Sequence, residues 1–386
     1  MIARIVSWLK NFLIIGLLLG TTAGLFLYAS GYRLSRSGTT LVDLTQTGMV
    51  NAKSVPEGAN VYVDGVLKTS TDGSVAGITP GIHNLSIVRN GFVTWNKTIE
   101  VFPELVTDIT AILISQSPRL EPLTNTGAAS TTISPSLTRL AFFSRDASAP
   151  GVWVIPLVGE ALSLFRSNPY VVLEDIPTNF FSRGLSIEWA PDEESLLVED
   201  QNGAFHIVDL DSGTYETTDS PELIKSEWQE ELVKDRTDFI ERLDIPASFR
   251  TIAIAPNTIW APDGKKFLYT APNGTNTEYR VYNMEKPIPV GEKVETIVFT
   301  TVTSDPQPKV SWYADSFHLI LTEGDIEKDH RGKISLIRID GTNKTEIYDS
   351  VLYSDKVFSS PGGDKLVILT SFKSGEQTDL YTIGIR

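Results

Sequence analysis

The chain has 386 residues, no cysteine and a formal net charge of −15. That length admits two or three domains, and the missing cysteines exclude disulfides, thiolate metal sites and cysteine nucleophiles. Residues 1–36 carry Arg4, Lys10, Arg33 and Arg36 and no acid, so the acidic excess belongs to the remainder. Such a body repels phosphate backbones, and nucleic acid is not expected as a partner.

Residues 12–29, FLIIGLLLGTTAGLFLYA, carry no charge and approach the length needed to cross a bilayer core. Ile5, Val6, Trp8 and Leu9 extend the apolar run, and Trp8 and Tyr28 stand where aromatic residues favour the interfaces. The reading is a cytoplasmic tail at 1–11, a transmembrane helix at 12–29 with the lipid bilayer as its partner, and a linker at 30–48. Arg4 and Lys10 before the span balance Arg33 and Arg36 after it, so charge alone does not orient it. Ala29-Ser30-Gly31 would suit a signal peptidase; the uncleaved anchor is the expectation and cleavage the alternative.

Residues 49–115 alternate in strand-length runs divided by turn dipeptides, Asp64-Gly65, Pro80-Gly81 and Asn90-Gly91 among them. Val61, Val63, Leu85 and Ile87 are predicted to share one buried face. The ordered set Pro56-Glu57-Gly58-Ala59, Val61-Tyr62-Val63-Asp64-Gly65, Pro80-Gly81-Ile82-His83 and Asn90-Gly91-Phe92 resembles the PEGA family, small β-sandwich-like domains of bacterial and archaeal envelope proteins. The G-x-T-P stretch usual after the first hairpin reads Thr69-Ser70-Thr71-Asp72-Gly73 here, without its proline. The resemblance implies an extracytoplasmic spacer or adhesion-like module. Turn geometry accounts for Asp64-Gly65, and a place beside a turn for His83.

From residue 116 a unit recurs. Ser134-Pro135, Trp189-Ala190-Pro191-Asp192, Trp260-Ala261-Pro262-Asp263-Gly264, Trp312-Tyr313-Ala314-Asp315 and Ser360-Pro361-Gly362-Gly363 each precede a hydrophobic strand, and a second strand follows. Positions 135, 191, 262, 314 and 361 lie 56, 71, 52 and 47 residues apart, a little above the period of a four-stranded propeller blade. The pattern resembles the WD40-like repeats of the TolB family, which also occur in the propellers of dipeptidyl peptidases. Ala314 replaces the proline of the fourth unit, and the first unit lacks Asp-Gly. The fold class expected is therefore mostly β: an apolar helix, a PEGA sandwich at 49–115, and a propeller at 116–386 of five blades, with room for a sixth in residues 165–187. The turn joins the Trp-ending strand to the next, and the tryptophans pack between blades as core in preference to a carbohydrate platform. A helix is predicted near 220–243, capped at Ser220-Pro221, with Ile224, Trp228, Leu232 and Ile240 on one face, as a surface helix on the blade edges or a docking helix. The last unit stops at Arg386 without an outer strand, and residues 119–124 are predicted to supply it.

Reactive chemistry is sparse. His83, His206, His318 and His330 lack metal-helix spacing, no G-x-S-x-G elbow or phosphate loop occurs, and Glu193-Glu194 and Glu230-Glu231 read as turn and helix-surface carboxylates. Asp209-Leu210-Asp211-Ser212-Gly213 is a partial calcium-loop pattern without the remaining ligands. No catalytic residue, cofactor or metal ligand is therefore assigned. The function expected is a membrane-anchored, extracytoplasmic, non-enzymatic binding or scaffold protein of the cell envelope, with an envelope protein or cell-wall glycan as partner. A glycan-binding or hydrolytic cell-wall propeller is the alternative. A sensor ectodomain is not expected, because about ten residues precede the span.

Overall fold

The computed structural model describes residues 2–29, 31–37, 41–157, 169–243, 245–372 and 377–386. Two compact units divide near residue 113.

Helix α1 (Ile2–Ala29) opens the first unit. Its stretch Lys10–Ala29 has 20 residues, none buried, and at 1.5 Å per residue covers about 30 Å, the thickness of a bilayer core. By length and composition it is fit to cross a membrane, as a signal sequence also is. The stretch 30–48, read as a linker, carries a hairpin: Tyr32–Ser37 pairs antiparallel with Leu41–Gln46, and a further strand starts at Gly48. Leu34, Leu41, Val42 and Leu44 are too few and too dispersed to announce these strands by periodicity.

Residues 48–112 form a sandwich of two sheets. One orders Val66–Ser70, Asn60–Val63, Gly81–Val88 and Trp95–Val101; the other orders Gly73–Ile78, Gly48–Val55 and Val106–Ile112. The expected inward face holds, with Val61 opposite Ile87 and Val63 opposite Leu85, all buried together with Val50, Trp95 and Ile109. Asp64 and Gly65 both take positive φ, 50° and 78°, as a tight hairpin turn requires. The G-x-T-P stretch sought at residues 69–73 stands instead at Gly77-Ile78-Thr79-Pro80, directly before the strand Gly81–Val88. Gly48–Val55 and Val106–Ile112 run parallel, Met49 opposite Val106 and Val55 opposite Ile112. The chain therefore enters and leaves this domain at opposite ends.

The second unit has five four-stranded sheets among the described residues. The first runs Ala128–Ile133, Arg139–Ser144, Gly151–Pro156, Tyr170–Glu174; the second Ser186–Trp189, Ser195–Glu199, Phe205–Asp209, Tyr215–Thr218. The third runs Ile259–Trp260, Lys266–Asn273, Asn276–Asn283, Glu295–Val302; the fourth Lys309–Trp312, His318–Glu323, Arg331–Arg338, Thr345–Val351. The fifth runs Phe358–Ser359, Lys365–Thr370, Asp379–Gly384 and then Arg119–Pro122. All pairings are antiparallel, giving a propeller-like fold. Of residues 165–187, where a sixth unit had room, 170–174 complete the first sheet and Ser186 opens the second; residues 158–168 lie outside the described residues.

Arg119–Pro122 joins the two ends of the unit, Leu120 opposite Ile383 and Pro122 opposite Tyr381. Pro122 is tolerated because this is the outermost strand. Beyond it, Leu123 N–H donates to Leu380 O at 2.8 Å and Ala128 N–H to Thr378 O at 2.8 Å. The buried carboxylate of Asp379 accepts from Gly127 N–H at 2.9 Å and Thr124 Oγ1 at 3.1 Å.

Each sheet's first turn repeats one backbone state. Its fourth residue, Leu137, Glu193, Gly264, Ser316 or Gly363, has φ between 60° and 66°. The asparagine-like turn is held by its Asp where one is present: Asp192 Oδ1 accepts from Glu194 N–H, Asp263 Oδ1 from Lys265 N–H, and Asp315 Oδ1 from Phe317 and His318 N–H. The tryptophans bridge sheets as expected. Trp189 Nε1 donates to Thr132 O of the first sheet at 3.3 Å, and Trp312 Nε1 to Ile259 O of the third at 2.9 Å.

Trp260 departs from this rule, donating at 2.9 Å to Ala253 O in the helical insertion. The insertion comprises α2 (Pro221–Glu241) and α3 (Ala247–Ala253). Ser220 precedes α2, but its side chain makes no capping bond, while Pro221 takes the first-turn position. Lys225 of α2 reaches the second sheet, pairing with Glu188 at 2.7 Å. Ile240, Ile245 and Ala253 pack on Phe267, Tyr269 and Tyr282 of the third sheet, where Phe249 stacks on Tyr282 at 4.0 Å. The insertion touches both sheets and contributes to the core, more than a helix lying on blade edges would.

Two consequences are measurable. Deleting residues 116–125 should lower the melting temperature sharply, while deleting the chain up to residue 115 should not, and Asp379→Ala should cost about 2 kcal/mol by leaving Gly127 N–H and the Thr124 hydroxyl unpaired. Equal, small effects would contradict this closure. In urea denaturation, Gly264→Ala should cost about 1 kcal/mol through its φ of 66° alone, since its added Cβ meets open space. Gly363→Ala should cost about 2–3 kcal/mol, because its Cβ would also meet Tyr313 Oη at 2.7 Å.

Candidate functional site

The second unit holds a cleft of about 490 Å³, lined by Pro306, the Gly324–Glu327 turn, His330 and residues 353–355. Loops that follow the third and fourth sheets meet there the hairpin of the fourth. The hairpin carries α4 (Ile326–Asp329), one turn long. Asp325 caps it, accepting from Lys328 N–H at 3.2 Å, and Lys328 Nζ closes on the same carboxylate at 2.9 Å. That side-chain donation holds the Asp325 pKa below its ordinary value. Ile326 is buried beneath the turn.

His330 ends α4 in the left-handed region, φ 47°, with Nδ1 3.1 Å from Ile326 O. Its exposed ring stacks on Tyr353, centroids 4.6 Å apart and planes 20° from parallel. Leu352 N–H donates to His330 O at 3.0 Å, which fixes the two loops against each other. An aromatic pair thus adjoins the carboxylates of Asp325, Glu327 and Asp355. This combination suits a cationic side chain or a sugar ring: the carboxylates accept hydrogen bonds and the π-faces stack.

The other histidines are structural partners of carboxylates. His83 Nδ1 lies 2.6 Å from Asp64 Oδ2 and Nε2 lies 2.7 Å from Thr79 O, so the pair braces the hairpin turn. The Asp64 bond raises the His83 pKa, burial opposing it, and the same bond lowers that of Asp64. His206 Nε2 lies 3.1 Å from Asp200 Oδ2 and Nδ1 lies 3.0 Å from Thr217 Oγ1, in a buried cluster with Asn179. His318 Nδ1 lies 2.6 Å from Asp315 Oδ2. Burial works to raise the Asp315 pKa, but the His318 contact and backbone donors outweigh it and leave the pKa lowered.

The paired carboxylates do not converge. Glu193 reaches back to the first sheet, accepting from Ser136 N–H and, at 3.0 Å, from Arg139 Nη2, whose guanidinium lies over Trp189. Glu194 lies in the same turn, and Glu230 and Glu231 are exposed on α2. Asp209 Oδ1 accepts from Ser212 N–H and Oγ at 2.7 Å, a turn between strands. Trp189 and Trp312 are buried. Among the described residues no three His, Asp or Glu side chains are grouped to hold a metal ion. Periodicity could not point to the cleft, because residues 306, 324–330 and 353–355 meet only in the folded chain.

Residues 47–115 match the PEGA domain. No curated protein matches the chain. Among solved structures it is similar to TolB from Acinetobacter baumannii, at 14% identity and TM-score 0.25 over 78% of this chain and 59% of that one. It is also similar to a putative TolB from Agrobacterium tumefaciens, at 10% identity and TM-score 0.24 over 86% of this chain and 99% of that one. An oligogalacturonate lyase from Vibrio parahaemolyticus aligns at 9% identity and TM-score 0.32 over 89% of this chain and 99% of that one. The chain spans about three-fifths of the length of the Acinetobacter protein. This chain carries a PEGA domain at residues 47–115, followed by a propeller-like unit whose solved neighbours include TolB proteins.

Proposed function

We propose that this chain is a membrane-anchored, extracytoplasmic binding or scaffold protein of the cell envelope, with α1 as an uncleaved anchor, the PEGA domain as an in-line spacer and the five sheets as a five-bladed ring that binds a protein partner. The parallel pairing of Gly48–Val55 with Val106–Ile112 carries this reading. Seven paired residues at about 3.3 Å each separate the end beside α1 from the end where the chain leaves, roughly 23 Å. A spacer needs that topology, and a domain whose termini return to one end lacks it. A non-enzymatic role is supported by the histidines and paired carboxylates, which serve turns and sheet contacts.

One observation favours a second reading. The carboxylates and aromatic pair of the 490 Å³ cleft have the composition of a glycan site. A single experiment separates the two. Protease added to intact cells should remove residues beyond 40, and the purified full chain, assayed with cell-wall glycan and with chromogenic esterase, peptidase and glycosidase substrates, should give background rates. Glycan turnover abolished by Glu327→Gln or Asp355→Asn would establish the second reading, and complete protection in intact cells whose surface is shown to be accessible to the protease would contradict the outward orientation.

A further inference from the structure

The end of α1 is tied into the PEGA sandwich by a run of hydrogen bonds. Gly31 N–H donates to Tyr28 O at 3.2 Å, and Thr47 N–H donates to Gly31 O at 3.0 Å. Thr47 Oγ1 donates to the same carbonyl at 2.6 Å. Glu104 N–H then donates to Thr47 O at 3.2 Å, and Met49 N–H to Leu105 O at 3.1 Å. The last turn of the helix is thus linked, bond by bond, to the tight turn at residues 102–105. That turn is formed with Glu104 in the left-handed region, φ 64°.

The turn shows apolar side chains to the outside. Leu105 is 48% and Val106 44% exposed, and Ile82, opposite Glu100 at the same end of the sandwich, is 74% exposed. Between the turn and the helix lies an open groove of about 330 Å³, whose walls include Tyr28, Ala29, Thr47, Glu104, Leu105 and Val106. Polar and apolar groups alternate across it: Glu104 Oε1 accepts from Gln46 Nε2 at 2.6 Å, with Leu105 directly beside it.

The span itself decides what this surface meets. The twenty residues Lys10–Ala29, predominantly apolar, at about 1.5 Å each span a bilayer core, so Ala29 lies at its boundary. A surface joined to Tyr28 through three successive backbone bonds then lies in the headgroup layer. Exposed Leu and Val are costly in water and favourable at the headgroup–acyl boundary, by about 25 cal/mol for each Å² removed from water. A carboxylate beside them reaches the aqueous side, as an interfacial segment needs.

We propose that Leu105 and Val106 insert into the headgroup–acyl boundary of the bilayer that holds α1, so that the PEGA domain is docked on the lipid surface at a fixed tilt. The proposal rests on the reading of α1 as an uncleaved span, and the test separates the two. The chain has no cysteine, so single cysteines can be introduced at Leu18→Cys, Leu105→Cys, Val106→Cys and Asn90→Cys and labelled with an environment-sensitive fluorophore. Asn90 lies beyond the far end of the strand Gly81–Val88, roughly 26 Å from the turn.

The labelled full chains are placed in phosphatidylcholine vesicles containing lipids brominated either near the headgroup or deep in the acyl chain. Deep bromines should quench the Leu18 label. Shallow bromines should quench the Leu105 and Val106 labels several-fold more than the Asn90 label. If Leu18 is quenched and neither Leu105 nor Val106 exceeds Asn90, the docking is wrong and the anchor stands. If Leu18 is not quenched either, both fall.

Discussion

A ring of sheets is only as sound as the seam where its first and last strands meet, because an open seam leaves a row of unpaired amides and carbonyls. Here four residues, Arg119–Pro122, pair with Asp379–Gly384 and so join the first and last strands of the second unit. The closure is reinforced where the chain turns into the first sheet: Asp379, buried, gathers Gly127 N–H and Thr124 Oγ1. Lys365 pairs with Glu121 at 3.0 Å on the outside. The core between the fifth and first sheets, with Leu140, Phe142 and Ile155 against Val367 and Leu380, depends on those strands being held together.

Between the other sheets the contacts come from the turn repeat. Trp189 and Trp312 each donate to the preceding sheet, and the turns donate to the following one, Asp263 N–H to Ser316 Oγ at 3.0 Å and Ala314 N–H to Ser359 Oγ at 3.3 Å. Lys266, wholly buried, lies 2.8 Å from Asp263 and 3.1 Å from Glu285, with its ammonium over Phe317 of the next sheet. What repeats is a backbone state and a direction of bonding. The side chains that realise it vary, as Leu137, Glu193 and Ser316 share a left-handed conformation that Gly264 and Gly363 adopt without a side-chain penalty. Between the second and third sheets the insertion takes over, and Trp260 bonds to α3 instead.

Much of this was legible in the sequence, for physical reasons that can be named. The Trp-Ala-Pro-Asp turns and their variant Trp312-Tyr313-Ala314-Asp315 are local signals, and they lie at the first strands of the second, third and fourth sheets. The missing outer strand of the last unit was legible as a deficit, with Pro122 placing 119–124 at an edge. The Asp64-Gly65 hairpin and its inward valines follow from period-two alternation. The hairpin inside residues 30–48 was not legible, because its strands are polar and short. The part α3 plays in the core was also hidden, since Phe249 and Ile252 acquire partners only when the third sheet forms. The cleft at Tyr353 and His330 depends on three loops distant in sequence, and no window of residues contains it.

Within the first unit, the parallel strands Gly48–Val55 and Val106–Ile112 carry the chain from one end of the PEGA domain to the other; the second unit can hold its shape only while its first and last strands are joined. That joining is tested most directly by cross-linking. Glu121 and Thr382 are directly opposite in the seam, and facing residues of an antiparallel pair approach within reach of a disulfide. In the cysteine-free chain, Glu121→Cys with Thr382→Cys should oxidise under mild conditions to a single intramolecular species. Glu121→Cys with Thr301→Cys, on the outer strand of the third sheet, should not. Failure of the first pair to close, or equal closure of both, would contradict a ring sealed by residues 119–122.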